Sequence, residues 1–431
     1  MLLTGQHSGH AYIRSNDEFR SRGEVWDYAK AVEDPYLEGQ RPFPDSIPTI
    51  GNLLQEAGYK TAIVGKWGLG GPLTESIPNN RGFDFFFGYN CQRQAHVLYP
   101  KHLWKNKEKV WLDNELVVPG TGLDSGANPL DFSSYSKYFQ KQYAPELMQR
   151  EVLEFMEQNT ENPYFLYYAS PLPHVPLQVP QEYVEKYIEK LGDEEPYIGD
   201  DGYFPNRYPH AAYAAMVSYL DMQVGEIVKK LEELNQLENT LIIFSSDNGP
   251  ASNAGADPGY FDSAKPFRST YGHGKGFTYE GGIRVPMIAN WKGTIAPGTT
   301  SDLISAFWDV MPTLADIAEV EPPKMIDGIS FLPELVGSSN QKKHDFLYWE
   351  FPSYQGQQAV RLGKWKGIRK NIFQGNMEIE LYDLDVDPSE QHNVAKMHKE
   401  VVDQIETVMK QAHEEPSVDK FKIEAIGDDP G

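Results

Sequence analysis

Three stretches of the chain repeat one pattern, an amphipathic run at helical spacing followed by a short run of apolar residues. SIPTIGNLLQEAGYK carries a helical pattern behind a capping Ser46 and stops at Gly58, and TAIVGKWGLGG follows as a β-rich strand that opens into a Gly-rich loop. PELMQREVLEFMEQNTENPYFLYYASPLPHVP repeats the order, and AAYAAMVSYLDMQVGEIVKKLEELNQLENTLIIFSSDNGP repeats it again. Helices alternating with nearly all-apolar strands predict a buried parallel sheet flanked by helices. Beyond about Val336 the period shortens: FLYWEF, AVRLGKWKGIRK and EIELYDL read as short alternating strands, closed by a helix from roughly 395 to 413. The expected architecture is therefore α/β. A three-layer sandwich with a mixed, mainly parallel sheet occupies 1–336, and a small antiparallel sheet plus one helix occupies 337–431.

Composition narrows the function classes. A net charge of −23 over 431 residues argues against nucleic-acid binding, which needs a basic face to neutralise phosphates. Any anionic substrate must meet a local basic pocket in an acidic surface. A single Cys excludes an intramolecular disulfide, and no apolar run reaches membrane-spanning length. Aromatic residues at 13% supply a packed interior with aromatic-lined clefts.

In parallel sheets, ligands gather beyond the carboxyl ends of the strands. Four candidate positions fall there. Asp247 and Asn248, after LIIF, offer paired hard oxygens for Ca²⁺ or Mg²⁺, with an ordinary Asn-Gly turn as the alternative. Lys66 ends TAIVGK, where the alternative is a solvated loop lysine. His174 stands between prolines in PLPHVP, where the alternative is a plain loop histidine. Lys275 lies among glycines in YGHGKGFTYEGGIRVP, where backbone can approach a ligand closely or a loop can simply flex. Together they make a kit for a tetrahedral oxyanion: cations for its oxygens, a metal for its charge, and an imidazole to protonate a leaving oxygen.

LLTGQHSGH, GYKTAIVGKWGLG, NNRGFDFFFGY, PHVP, SSDNG, GKGFTYEGGIRVP, WKGIRK and LYDLDVDPSEQHN, in that order from the first residues to the last strand and helix, resemble the sulfatase family of the alkaline phosphatase superfamily. The resemblance implies sulfate ester hydrolysis, with Asp247 and Asn248 as half of a Ca²⁺ site (Mg²⁺ as the alternative). It implies Lys66 and Lys275 as sulfate-binding groups and His174 as the acid for the departing alcohol. The family nucleophile is a formylglycine hydrate, made by a formylglycine-generating enzyme from Cys or Ser in C/S-x-P-S/T-R, immediately before the LLTG stretch. Neither that motif nor the family's upstream Asp pair stands in this chain. The expectation is accordingly an internal Met at position 1, an N-terminal truncation, and a chain inactive as written. Cys91, in CQRQA, lacks the Pro and Arg of the motif and reads as a small buried hydrophobe. Many family members read GKWHLG where this chain has Gly68.

The segment NNRGFDFFFGYNCQRQAHVLYPKHLW is similar to one in bacterial sulfatases of polysaccharide-degrading organisms, which implies a sulfated carbohydrate substrate. His96 within it is a candidate sugar contact, or else a structural His beside an aromatic cluster. His7, His10, Arg14 and His273 fall near the expected pocket by sequence, with no role assigned. The family implies export, to the periplasm or outside the cell. Two rival readings are a phosphate or phosphonate ester hydrolase of the same superfamily and a non-catalytic protein that binds sulfated glycans.

Overall fold

The computed structural model describes residues 1–17, 27–199 and 201–429. These fall into two compact units, one of Asp17–Leu237 with Asn253–Asp257, the other of Met1–Asn16, Glu238–Ser252 and Pro258–Gly431.

In the first unit, β1 (Lys60–Lys66), β2 (Phe85–Tyr89), β3 (His102–Lys105), β4 (Glu108–Trp111) and β5 (Tyr164–Ala169) form a sheet ordered β4-β3-β2-β1-β5. β1 runs parallel to β2 and to β5, and the β3–β4 hairpin adds antiparallel strands at one edge. The register pairs Lys66 with Tyr89 and Gly65 with Ala169, so the three parallel strands end level. Lys66 is the last residue of β1, and His174 lies five residues past the end of β5. β1 and β2 are buried, as their apolar sequences require. The six residues of β5 are instead only half-buried, and among the described pairings β5 occupies the end of this sheet.

The helix before β1 spans Ile50–Glu56 and is capped by Thr49, not by Ser46. Pro48 disfavours helical geometry at Ile47, whereas the Thr49 hydroxyl accepts from the Asn52 amide at 3.1 Å and the Asn52 side chain accepts from the Thr49 amide at 3.1 Å. Helices Ala144–Gln158 and Pro209–Glu233 pack in the same unit. Ala211, Ala212, Ala215, Met216 and Tyr219 bury one face of the second helix among Leu172, Val175, Leu177 and Val179.

The second unit contains a two-stranded antiparallel ribbon, β6 (Ile242–Ser245) with β7 (Met287–Asn290), and an antiparallel sheet ordered β11-β10-β9-β8. The latter comprises β8 (Leu347–Phe351), β9 (Gln357–Leu362), β10 (Trp365–Lys370) and β11 (Glu380–Asp383). Helix Lys399–Gln411 lays Val401, Ile405 and Met409 on this sheet against Tyr348, Val360 and Leu381. β6 departs from the expected buried strand. Its residues are half-buried, and its described pairing is antiparallel, to β7.

Candidate active site

Each unit carries its own part of the predicted constellation. In the first unit, His174 stands between cis Leu172–Pro173 and Val175–Pro176 bonds, with its amide donating to Pro171 O at 3.0 Å. Val175, Leu177 and Val179 are buried in the core, and His174 is half-buried. Its Nδ1 faces the Val175 carbonyl at 2.5 Å. A carbonyl only accepts, so Nδ1 carries the proton and Nε2 is the atom that can take up or release another. His96 ends the short helix Gln92–His96 and stacks on His174, with ring centroids 5.6 Å apart and planes at 15°. The structure thus joins the catalytic and the sugar-contact candidates, which lie far apart in sequence.

Gly68, where many sulfatases carry His, has φ +78, a left-handed conformation that side chains disfavour. A Cβ there would sit 3.5 Å from Gln92 Cβ, so space alone does not exclude a side chain. Cys91 is fully buried, with its thiol pushed up to about 12 by desolvation. It is inert at neutral pH.

In the second unit, Asp247 and Asn248 follow β6, and Lys275 lies in the glycine loop before the turn Glu280–Ile283. The two loops are bonded backbone to backbone: Lys275 N donates to Pro250 O at 3.0 Å and Gly249 N to Gly282 O at 2.9 Å. A Cβ on Gly249 would lie 1.8 Å from Gly281 O, so the glycine of the Asn-Gly pair is required by close approach of the neighbouring loop. Burial pushes the Lys275 ammonium below its ordinary range, and the Asp247 carboxylate pulls it partly back. Asn248 Nδ2 donates to Gly249 O at 2.8 Å, which commits the amide nitrogen and leaves Oδ1 as the acceptor. With the exposed Asp247 carboxylate this is a hard-oxygen donor set of the kind Ca²⁺ takes, supplying part of the roughly six to eight oxygens needed.

Sequence reasoning missed what holds this loop. Lys366 on β10, wholly buried, donates to Glu280 Oε1 at 2.8 Å, and the Glu280 amide donates to Glu390 Oε2 at 2.8 Å. Glu280 stays ionised beside Lys366. Glu390, 3.9 Å from that ammonium and with its Oε1 unpartnered, is pushed up to about 7 by burial.

The remaining candidates make other contacts. His10 Nδ1 meets Asp327 Oδ1 at 2.8 Å, and His7 Nε2 lies 3.7 Å from the same oxygen. The trio has the spacing of a metal site. His7 Nδ1 accepts from the Gly9 amide at 3.1 Å, and burial holds the ring neutral with its pKa down at about 4, which places its proton on Nε2. Arg14 is buried and donates to Glu350 at 2.7 Å. His273 packs against Tyr279 with ring centroids 4.7 Å apart and planes tilted at 51°, its pKa lowered by burial and then by Arg268 and Lys370.

The comparisons accord with this geometry. The sulfatase family model matches residues 20–320, and that of the N-sulphoglucosamine sulphohydrolase C-terminal region matches 271–415. The chain belongs to the sulfatase family. It is 27% identical to an uncharacterised sulfatase of Schizosaccharomyces pombe, over 94% of this chain and 82% of that one. It is 29% identical to human arylsulfatase A, over 80% and 66%, and 30% identical to dog N-acetylgalactosamine-6-sulfatase, over 75% and 54%. Among solved structures, Ps i-CgsB in complex with k-i-k-neocarrahexaose superposes with a TM-score of 0.70 at 23% identity, covering 96% of this chain and 82% of that one. The fold is the alkaline phosphatase-like one of sulfatases, a mixed sheet with helices plus a small antiparallel sheet.

Proposed function

We propose that this protein is a sulfuric ester hydrolase acting on a sulfated carbohydrate. The observation that carries the reading is the sulfatase match across 20–320, which contains every residue of the predicted constellation. Relatives named for N-acetylgalactosamine-6-sulfate support a sugar substrate. Lys66 and Lys275 bind the non-bridging sulfate oxygens, and the burial of Lys275 strengthens its field on an anion. As the bond from sulfur to the sugar oxygen breaks, Nε2 of His174 gives that oxygen a proton. His96, stacked on His174, contacts the sugar. Asp247 and Asn248 would hold Ca²⁺, or Mg²⁺ in its place, which supplies positive charge to the sulfate when bound. Formylglycine, with its generating enzyme as partner, would supply the attack on sulfur, and none of the residues named here takes that role. Residues 1–336 form the catalytic region and 337–431 the C-terminal subdomain of this reading, and the place of action is the periplasm or the cell exterior. No helix among the described residues is long and apolar enough to cross a membrane.

The test is sulfate release from sulfated hexosamines and an aryl sulfate, measured by ion chromatography beside a matched phosphate ester and calorimetry of the same ligands. Selective binding or turnover of sulfated sugars, reduced about 100-fold or more in turnover by His174→Ala, is expected. Faster phosphate release would move the protein to the phosphoesterase reading. Tight binding with no turnover by protein proven to carry the formylglycine would make it a glycan-binding protein.

A further inference from the structure

Three loops of the first unit each bring one ring to a common point. His96 and His174 stack at 5.6 Å, Tyr203 lies 5.0 Å from His96 at 47°, and Tyr203 lies 6.3 Å from His174 at 59°. Their chain neighbours turn inward: Ala95, Val97, Val175 and Phe204 are buried, while the three rings stay half-buried. Rings that served only the core would follow those neighbours.

Beneath the rings the loops are tied by buried side-chain amides. Gln178 accepts from the Leu98 amide at 2.8 Å and donates to Tyr138 O, linking the His96 and His174 loops. Asn206 donates to Leu177 O at 2.6 Å, and reciprocal backbone bonds of 2.9 Å between Tyr197 and Asn206 close the loop that presents Tyr203. Both amides are nearly inaccessible, at 2% and 5%. Fully satisfied buried polar groups of this kind fix one geometry, and fixing it in advance lowers the entropic cost of binding.

We propose that His96, His174 and Tyr203 form a preorganised saccharide subsite that stacks on the pyranose ring of the sulfated sugar and recognises the ring itself, independently of its sulfate. The inference rests on the carbohydrate sulfatase reading, and adds Tyr203 as a specificity-determining residue. Two imidazoles and a phenol give apolar faces for the C–H side of a sugar and polar edges for its hydroxyls, the mixture typical of small-ligand sites.

The experiment uses the full chain, with binding read by calorimetry and ligand-detected NMR, so that turnover is not required. The probes are a panel of free hexoses and N-acetylhexosamines, their 6-sulfates, and 4-nitrophenyl sulfate. Tyr203→Leu should weaken a free sugar and its 6-sulfate alike, by about fivefold or more, Tyr203→Phe should retain most of the affinity, and the aryl sulfate should change by less than about twofold. An unchanged sugar affinity in Tyr203→Leu overturns the subsite, as does equal weakening of the aryl sulfate or no sugar binding at all. Loss of affinity in Tyr203→Leu with no preference for sulfated over free sugar would uphold the subsite while rejecting the sulfatase reading. Tighter binding of sulfated than of free sugars, with every sugar affinity unchanged in both Tyr203 variants, would reject the subsite and keep that reading. The near-isosteric Phe variant guards against misfolding.

Discussion

The loop carrying Lys275 and the loops carrying His96, His174 and Tyr203 are held in opposite ways. Around Lys275 the constraint is backbone on backbone, with carbonyls of one loop pressed onto the Cα atoms of the next at Gly249 and Gly281. Around His174 it is side chain on backbone, through the amides of Gln178 and Asn206. A backbone clamp tolerates no added atom, but it fixes only the loop path. An amide tie tolerates some change in shape, but loses its hold on the ring geometry when its hydrogen-bonding group is removed. Under the proposed reading, the first suits a cation held near Asp247, and the second a set of rings whose mutual angle sets the sugar contact.

The largest effect that tests this contrast is expected from Gly281→Ala, whose Cβ would fall 1.6 Å from Arg268 O. A loss of at least about 4 kcal/mol in urea unfolding should result, since neither backbone can yield without moving the loop. A loss below about 1 kcal/mol would show that the clamp is loose. Next is the carboxylate behind the clamp. Glu390, raised to about 7 in the fold against an ordinary value near 4.5, holds its proton in the native state while the unfolded chain has released it. Stability from this group is fully present below the unfolded value and is lost as pH rises toward 7, at roughly 1.4 kcal/mol per unit. Unfolding titrations between pH 4.5 and 7 should show that slope in the difference between wild type and Glu390→Gln, and equal slopes would remove Glu390 from the account. On the other side of the comparison, Gln178→Leu should cost about 2–4 kcal/mol, because it strands the Leu98 amide and Tyr138 carbonyl in the interior. The same variant should abolish contacts between the His96 and His174 rings in NMR spectra.

The same contrast explains what could be read from the chain. SSDNG and GKGFTYEGG are legible because a backbone clamp demands glycines, and glycines in a fixed local pattern are visible in one dimension. Lys66 is legible as the end of an apolar strand, and His174 by its flanking prolines. Tyr203, Gln178 and Asn206 leave no such trace. Gln178 binds Leu98 across 80 residues and Asn206 binds Leu177 across 29, so their importance lies in pairings that no local spacing encodes. β5 and β6 show the converse. Their apolar letters predict burial, but the burial of a strand depends on which neighbours flank it, and both are half-buried. Ser46 and Thr49 are both favoured capping residues, and Pro48 between them decides which one the helix uses.

The smallest predicted effect separates geometry from mere stability in the amide-tied loops. Asn206→Ala removes the donor to Leu177 O and the acceptor of the half-buried Tyr208 amide but leaves the backbone pair between Tyr197 and Asn206 in place, so the loss should be only about 1–2 kcal/mol. Even so, that loss frees the Tyr203 loop from the His174 segment, and the ring angles should relax. Thermal melts should therefore show a modest shift while sugar affinity falls by as much as in Tyr203→Leu. If Asn206→Ala lowered the melting point but left sugar affinity intact, the tie would serve folding alone, and the rings would hold their arrangement through their own packing.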